Sequence, residues 1–138
     1  MTTHTVELEL LPDPDEPGRP PAVLRGTFLY CTRRPFEVTL VLLEGCHPKP
    51  RWTFARDLLL DGVRQPAGEG EVRVRLTRRS GRTARVELIL VSGGWCSVFS
   101  LGLIDLVQFL IPTMDLVPPG EEMRVLDLDD GLARLLNR

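Results

Sequence analysis

The chain has 138 residues, of which 43% are hydrophobic and 26% charged, and a formal charge of −2. This length reads as a single domain over residues 1–138 that can bury a core without staples, and the composition excludes disorder along the whole chain. Three Cys and no signal-peptide pattern exclude a disulfide scaffold and point to a reducing cytoplasm, and no apolar stretch reaches the roughly 20 residues of a membrane span. In chain order, Thr5–Leu10 alternates polar and apolar residues and predicts a half-buried strand. Pro12–Pro21 is rich in Pro and acids and predicts a mobile loop. Ala22–Tyr30 and Pro35–Leu43 predict strands two and three, the latter covered on both sides, with Phe36, Val38, Leu40 and Leu42 on one face. Gly45–Lys49 reads as a turn and Arg51–Thr53 as a short fourth strand.

The pattern then changes. Phe54–Asp61 predicts one short helix, with Thr53 as its cap and Gly62 as the left-handed residue that ends it. Glu71–Arg78 alternates strictly, Arg79–Arg82 reads as a hairpin turn, Arg85–Val91 returns, and Trp95–Phe99 adds a seventh strand. Leu103–Ile111 predicts a helix that is apolar almost all round and limited by Pro112. Val117–Gly120 reads as a rigid linker. Asp127–Asn137 predicts a last helix capped by Asp127, with Leu128, Leu132, Leu135 and Leu136 on one face. The expected fold is α+β: seven mostly antiparallel strands in two sheets, one short central helix and two C-terminal helices.

Charge is uneven. Residues 1–18 carry five acids and no base, residues 19–90 carry 14 bases against seven acids, and residues 91–138 carry three bases against seven acids. Six Arg (Arg73, Arg75, Arg78, Arg79, Arg82 and Arg85) fall on one predicted hairpin. A basic ribbon of this kind could follow a single-stranded nucleic acid, but no aromatic lies between Val63 and Gly94 to stack on bases. A charged hairpin that resists edge pairing is the simpler reading.

Other chemistry is thin. Only His4 and His47 are present, and Cys46-His47 with Cys31 and Cys96 matches no common zinc spacing. Neighbours such as Cys46 and His47 rarely supply the geometry of a nucleophilic pair. Asp127–Gly131 fails as a calcium loop because its twelfth position is Arg138. Gly68-Glu69-Gly70 puts a carboxylate where a phosphate would lie. No catalytic residue, metal or cofactor is therefore expected. The predicted Leu103–Ile111 helix has more apolar surface than a small core easily absorbs. Leu103, Ile104, Val107, Leu110 and Ile111 are the expected partner or subunit interface.

The stretch Trp52-Thr53-Phe54-Ala55-Arg56-Asp57-Leu58-Leu59, followed by Gly62, Pro66, Gly68, Gly70 and Glu71-Val72-Arg73-Val74, resembles the signature of the SsgA-like proteins. Val117-Pro118-Pro119-Gly120-Glu121 followed by Asp127-Leu128-Asp129 is a second, weaker match. The resemblance covers nearly the whole chain. It implies a small cytoplasmic, non-enzymatic regulator of sporulation and cell division in actinomycetes, acting at septum sites. It implies a fold similar to the whirly-type single-strand-binding proteins and a trimeric assembly. It also implies that sibling SsgA-like proteins or the tubulin-like division protein FtsZ are partners. Trp52, Phe54, Arg56, Asp57, Gly62 and Gly70 are the motif residues expected to have structural roles, with Trp52 and Phe54 anchoring the short helix to the sheet.

Overall fold

Alternation along each strand sets the architecture, because successive side chains point to opposite faces. The computed structural model describes residues 2–12, 24–44, 47–68, 70–77, 84–92 and 95–136. The strands are β1 (Thr3–Pro12), β2 (Leu24–Cys31), β3 (Glu37–Glu44), β4 (His47–Ala55), β5 (Val72–Thr77), β6 (Arg85–Ser92) and β7 (Trp95–Gly102). The helices are α1 (Arg56–Gly62), α2 (Leu103–Leu116) and α3 (Glu122–Leu136).

The seven strands are hydrogen-bonded in the order β4-β3-β2-β1-β7-β6-β5, and every pair is antiparallel. The expected pair of sheets is thus one continuous sheet. The reason lies in β1, which pairs with β2 from Thr3 to Leu10 and then with β7 at Leu11 and Pro12. One strand long enough to serve two neighbours joins what would otherwise be two smaller sheets.

One face of the sheet supplies most of the core. Leu8, Leu10, Phe28, Tyr30, Val38, Leu40, Trp52, Phe54, Val74, Leu88 and Leu101 are all buried and recur at the period of two that the sequence predicts. Helix α2 contributes Leu106, Phe109 and Leu110 to the same core. The Phe109 ring lies 5.2 Å from that of Phe28 and stacks on His4 at 5.5 Å. Among the described side chains of β3 only one face is buried: Thr39 and Val41 are half-exposed, and Phe36, in the turn before the strand, is exposed.

Several boundaries differ from the sequence reading. β4 begins at His47 instead of Arg51, and its Pro48 and Pro50 are tolerated because β4 is an edge strand. Phe54 belongs to β4 instead of α1, because Trp52 and Phe54 share the strand's inward face. Helix α1 starts at Arg56 without a side-chain cap. The Thr53 hydroxyl instead lies 3.2 Å from that of Thr39 across the strand pair.

Gly62 does not end α1 in a left-handed conformation; the residue beyond it, Val63, is at φ −78. Glycine is required there by close approach, because an added Cβ would stand 2.5 Å from Val74 Cβ. Pro112 does not stop α2, which continues to Leu116. The proline leaves the Gln108 carbonyl without its helical donor, but Gln108 is exposed and water can supply one. Helix α3 begins five residues earlier than its leucine spacing implies, so Asp127 lies within it instead of capping it. The Pro-rich loop beyond Pro12, Cys46 and the Arg79–Arg82 turn lie outside the described residues, as do parts of the predicted 45–49 and 92–94 turns.

Candidate functional site

Arg56 opens α1 directly after β4 and is fully buried. Its guanidinium donates to the carbonyls of Thr113 at 2.9 Å and Val117 at 2.7 Å, and to Glu122 Oε1 at 3.0 Å. The guanidinium carbon also lies 5.0 Å from the centre of the Tyr30 ring. The end of a helix carries its negative pole, which a buried cation complements; the Thr113 carbonyl also accepts the Val117 N–H at 2.9 Å, so Arg56 is its second donor. The neutralising carboxylate comes from the first turn of α3, and its other oxygen accepts the Gly120 N–H at 2.9 Å. One side chain thereby ties the start of α1, the end of α2 and the start of α3.

The electrostatics follow from this geometry. Burial alone would raise the Glu122 carboxyl. Hydrogen bonds from its own backbone N–H, the Arg56 side chain and the Gly120 N–H outweigh burial and hold it below the usual carboxylate value. Tyr30 is pushed up mainly by burial, against the lowering effect of Arg56. Its hydroxyl donates to the Pro35 carbonyl at 2.9 Å. The charges of this junction are paired and enclosed.

The predicted α2 interface divides in two. Leu110 is only 2% exposed and packs into the protein's own core, so it is unavailable to a partner. Leu103 and Val107 are partly buried. Ile104 and Ile111 point outward, 62% and 48% exposed. A more extensive apolar face lies on α3, where Leu128, Leu132, Leu135 and Leu136 share one side and are 57–83% exposed. The sequence displays that stripe plainly, but not that the sheet stays clear of it. Of the α3 apolar residues, Val125 packs against the core and Met123 is exposed.

The remaining motif residues divide by burial. Trp52 and Phe54 are buried on β4, Asp57 is exposed in the first turn of α1, where its charge suits the helix start, and Gly70 is exposed. Beside them an open cleft of about 420 Å³ runs between β4 residues 51–55 and residues 68 and 70–72, with Leu58 also lining it.

Other sequence candidates do not converge. Cys31 and Cys96 are free thiols on β2 and β7, and no group of three or more potential metal ligands occurs among the described residues. On the arginine hairpin, Arg75 pairs with Glu87 at 2.6 Å and Arg85 binds Ser100, which leaves Arg73 as the exposed, unpaired arginine among the described residues there. Arg78, Arg79 and Arg82 lie outside those residues. No helix is long and apolar enough to cross a membrane among the described residues.

These features define a class: an antiparallel α+β protein whose exposed assets are apolar helix faces and an open sheet edge. Residues 24–122 match the family model described as Streptomyces sporulation and cell division protein, SsgA. The sporulation-specific cell division protein SsgB of Streptomyces coelicolor is 37% identical over 137 residues, covering 98% of this chain and 96% of the relative. SsgB of Frankia casuarinae is 37% identical over 120 residues, covering 87% and 83%. The crystal structure of an SsgA-like sporulation-specific cell division protein from Thermobifida fusca superposes with a TM-score of 0.85 at 30% identity, covering 96% of this chain and 95% of that one. The chain belongs to the SsgA family of sporulation and cell division proteins, which is not known as a family of enzymes.

Proposed function

We propose that the protein regulates sporulation-specific cell division through protein–protein contact, with no chemical step of its own. The observation that carries this reading is the leucine face of α3, exposed together with Ile104 and Ile111 of α2. Monomers rarely leave extensive apolar surface uncovered. In this reading the protein is a homo-oligomer, a trimer as the family resemblance implies. It helps place or prepare septa in the cytoplasm, with sibling SsgA-like proteins or FtsZ-linked division proteins as partners.

The test is sedimentation of Leu132→Glu and Ile111→Glu, alone and combined. Reduced oligomer mass or lost partner binding, with the monomer still folded, supports the reading. Unchanged mass together with unchanged binding defeats it.

A further inference from the structure

The free edge of β4 presents a docking site separate from the helix faces. The Arg56 N–H donates to the Phe36 carbonyl at 2.7 Å, and the register places Phe54 opposite Val38 and Trp52 opposite Leu40. In an antiparallel ladder, alternate residues direct their backbone groups to opposite sides. Arg56, Phe54 and Trp52 therefore address β3, while Ala55, Thr53 and Arg51 address the open side. Upstream the ladder with β3 shifts register between Val41 and Leu43, so this regular edge spans residues 51–55. The opposite end of the sheet is partly blocked, because Ala67 and Val74 exchange two 2.9 Å hydrogen bonds along the outer side of β5.

The cleft of about 420 Å³ runs along this same stretch of β4. Such a volume falls in the range of roughly 300–1,000 Å³ typical of binding clefts. Gly68 and Gly70 lie on its far wall. Gly68 is held at φ +95, and a Cβ on it would stand 2.5 Å from the Val72 carbonyl oxygen; one on Gly70 would meet nothing within 4 Å. One unmet demand lies at the edge. Arg51 is exposed and has no carboxylate partner among the described residues.

We propose that this cleft binds an extended segment of a partner protein, which adds to the sheet as a strand alongside β4. Main-chain groups of the segment pair with both backbone groups of Arg51 and Thr53 and with the Ala55 N–H, the Ala55 carbonyl being turned into the first turn of α1. The segment carries an acid opposite Arg51. It is not an acidic run, because Glu71 on the facing wall repels further negative charge. A second copy of this chain is a poor occupant. β4 itself reads His-Pro-Lys-Pro-Arg-Trp-Thr-Phe-Ala with no acid, and the other edge strand, β5, carries Arg73 and Arg75.

The experiment selects displayed random short peptides on the full chain and maps the winners by amide NMR on the labelled protein. The expected winners alternate apolar and polar residues around one Asp or Glu. They shift the amides of Arg51, Thr53 and Ala55. Arg51→Glu weakens them by at least about fivefold, whereas Leu132→Glu on the α3 face leaves them unchanged. The proposal is overturned by selection that never rises above background, by winners that shift α2 or α3 instead, or by affinity indifferent to Arg51→Glu. Shifts of the β4 amides on dimerisation, without peptide, would equally overturn it in favour of a second copy. None of these outcomes depends on whether the helix faces drive assembly.

Discussion

Arg56 and Glu122, 66 residues apart in the chain, form a 3.0 Å ion pair almost closed to solvent. A buried pair of this kind adds little net stability over an apolar substitute, but removing one partner strands a charge. Glu122→Ala should therefore cost about 3 kcal/mol in urea unfolding. The double variant Arg56→Met with Glu122→Gln should recover part of that loss, because the uncompensated cation is gone. A double variant as unstable as the sum of its parts would show that the two side chains act independently.

The same pair makes stability sensitive to acid. Glu122 releases its proton more readily in the folded protein than in the unfolded chain. Its contribution is therefore complete above the unfolded value of about 4.3 and disappears as pH falls through the lower folded value. Glu122→Gln should flatten this part of the stability–pH curve. A wild-type midpoint that does not fall relative to Glu122→Gln on acidification would contradict the assignment.

Leu110 and Ile111 are neighbours in sequence with opposite surroundings. Leu110→Glu places a charge in the core and should cost more than about 4 kcal/mol, enough to unfold many small domains. Ile111→Glu should shift thermal unfolding very little. Comparing the two melting curves tests whether the outward face of α2 is surface or core.

Gly62→Ala forces a methyl group against Val74 and should cost about 1–3 kcal/mol, although alanine is the better helix former. The readout is the denaturation midpoint. A stabilised variant would mean that α1 can move away from β5.

Trp52→Phe and Phe54→Ala alter adjacent inward positions of β4. Phe54→Ala should cost about 3–5 kcal/mol through the cavity it leaves. Trp52→Phe loses some packing but removes a buried donor without an acceptor, a defect of about 1–3 kcal/mol, so its net cost should be small. A loss from Trp52→Phe as large as that from Phe54→Ala would show that the indole N–H is satisfied after all.

The strands were legible in the sequence wherever apolar residues alternate. The Val72–Thr77 and Arg85–Ser92 hairpin lies within a residue of its expected bounds at each of its four ends. The strand pairing order was not legible, because no local pattern reveals that β1 serves two neighbours. The extent of α2 was missed because Pro112 argues locally for a stop, whereas Arg56 donates to carbonyls at the helix end from the other side of the molecule. Arg56 itself read as a helix former in a signature stretch. Nothing near it in sequence announces a partner 66 residues away. The stripe on α3 was visible as a stripe, and only its position away from the sheet shows that it is unpartnered. The β4 cleft depends on register, which alternation cannot supply for a strand interrupted by two prolines.

The central place of β1 has a consequence for how the chain folds as it is made. β1 leaves the ribosome before β2, β3 and β4, and those four strands can zip together as successive neighbours. The other flank of β1 must wait for β7, which is synthesised some 85 residues later and brings β5 and β6 with it. Closing so distant a pairing is slow compared with forming local hairpins. Until Leu11 and Pro12 find Ser100 and Phe99, the half-finished sheet keeps an open flank at that point, so the nascent protein is most exposed to mispairing just before its last strand arrives.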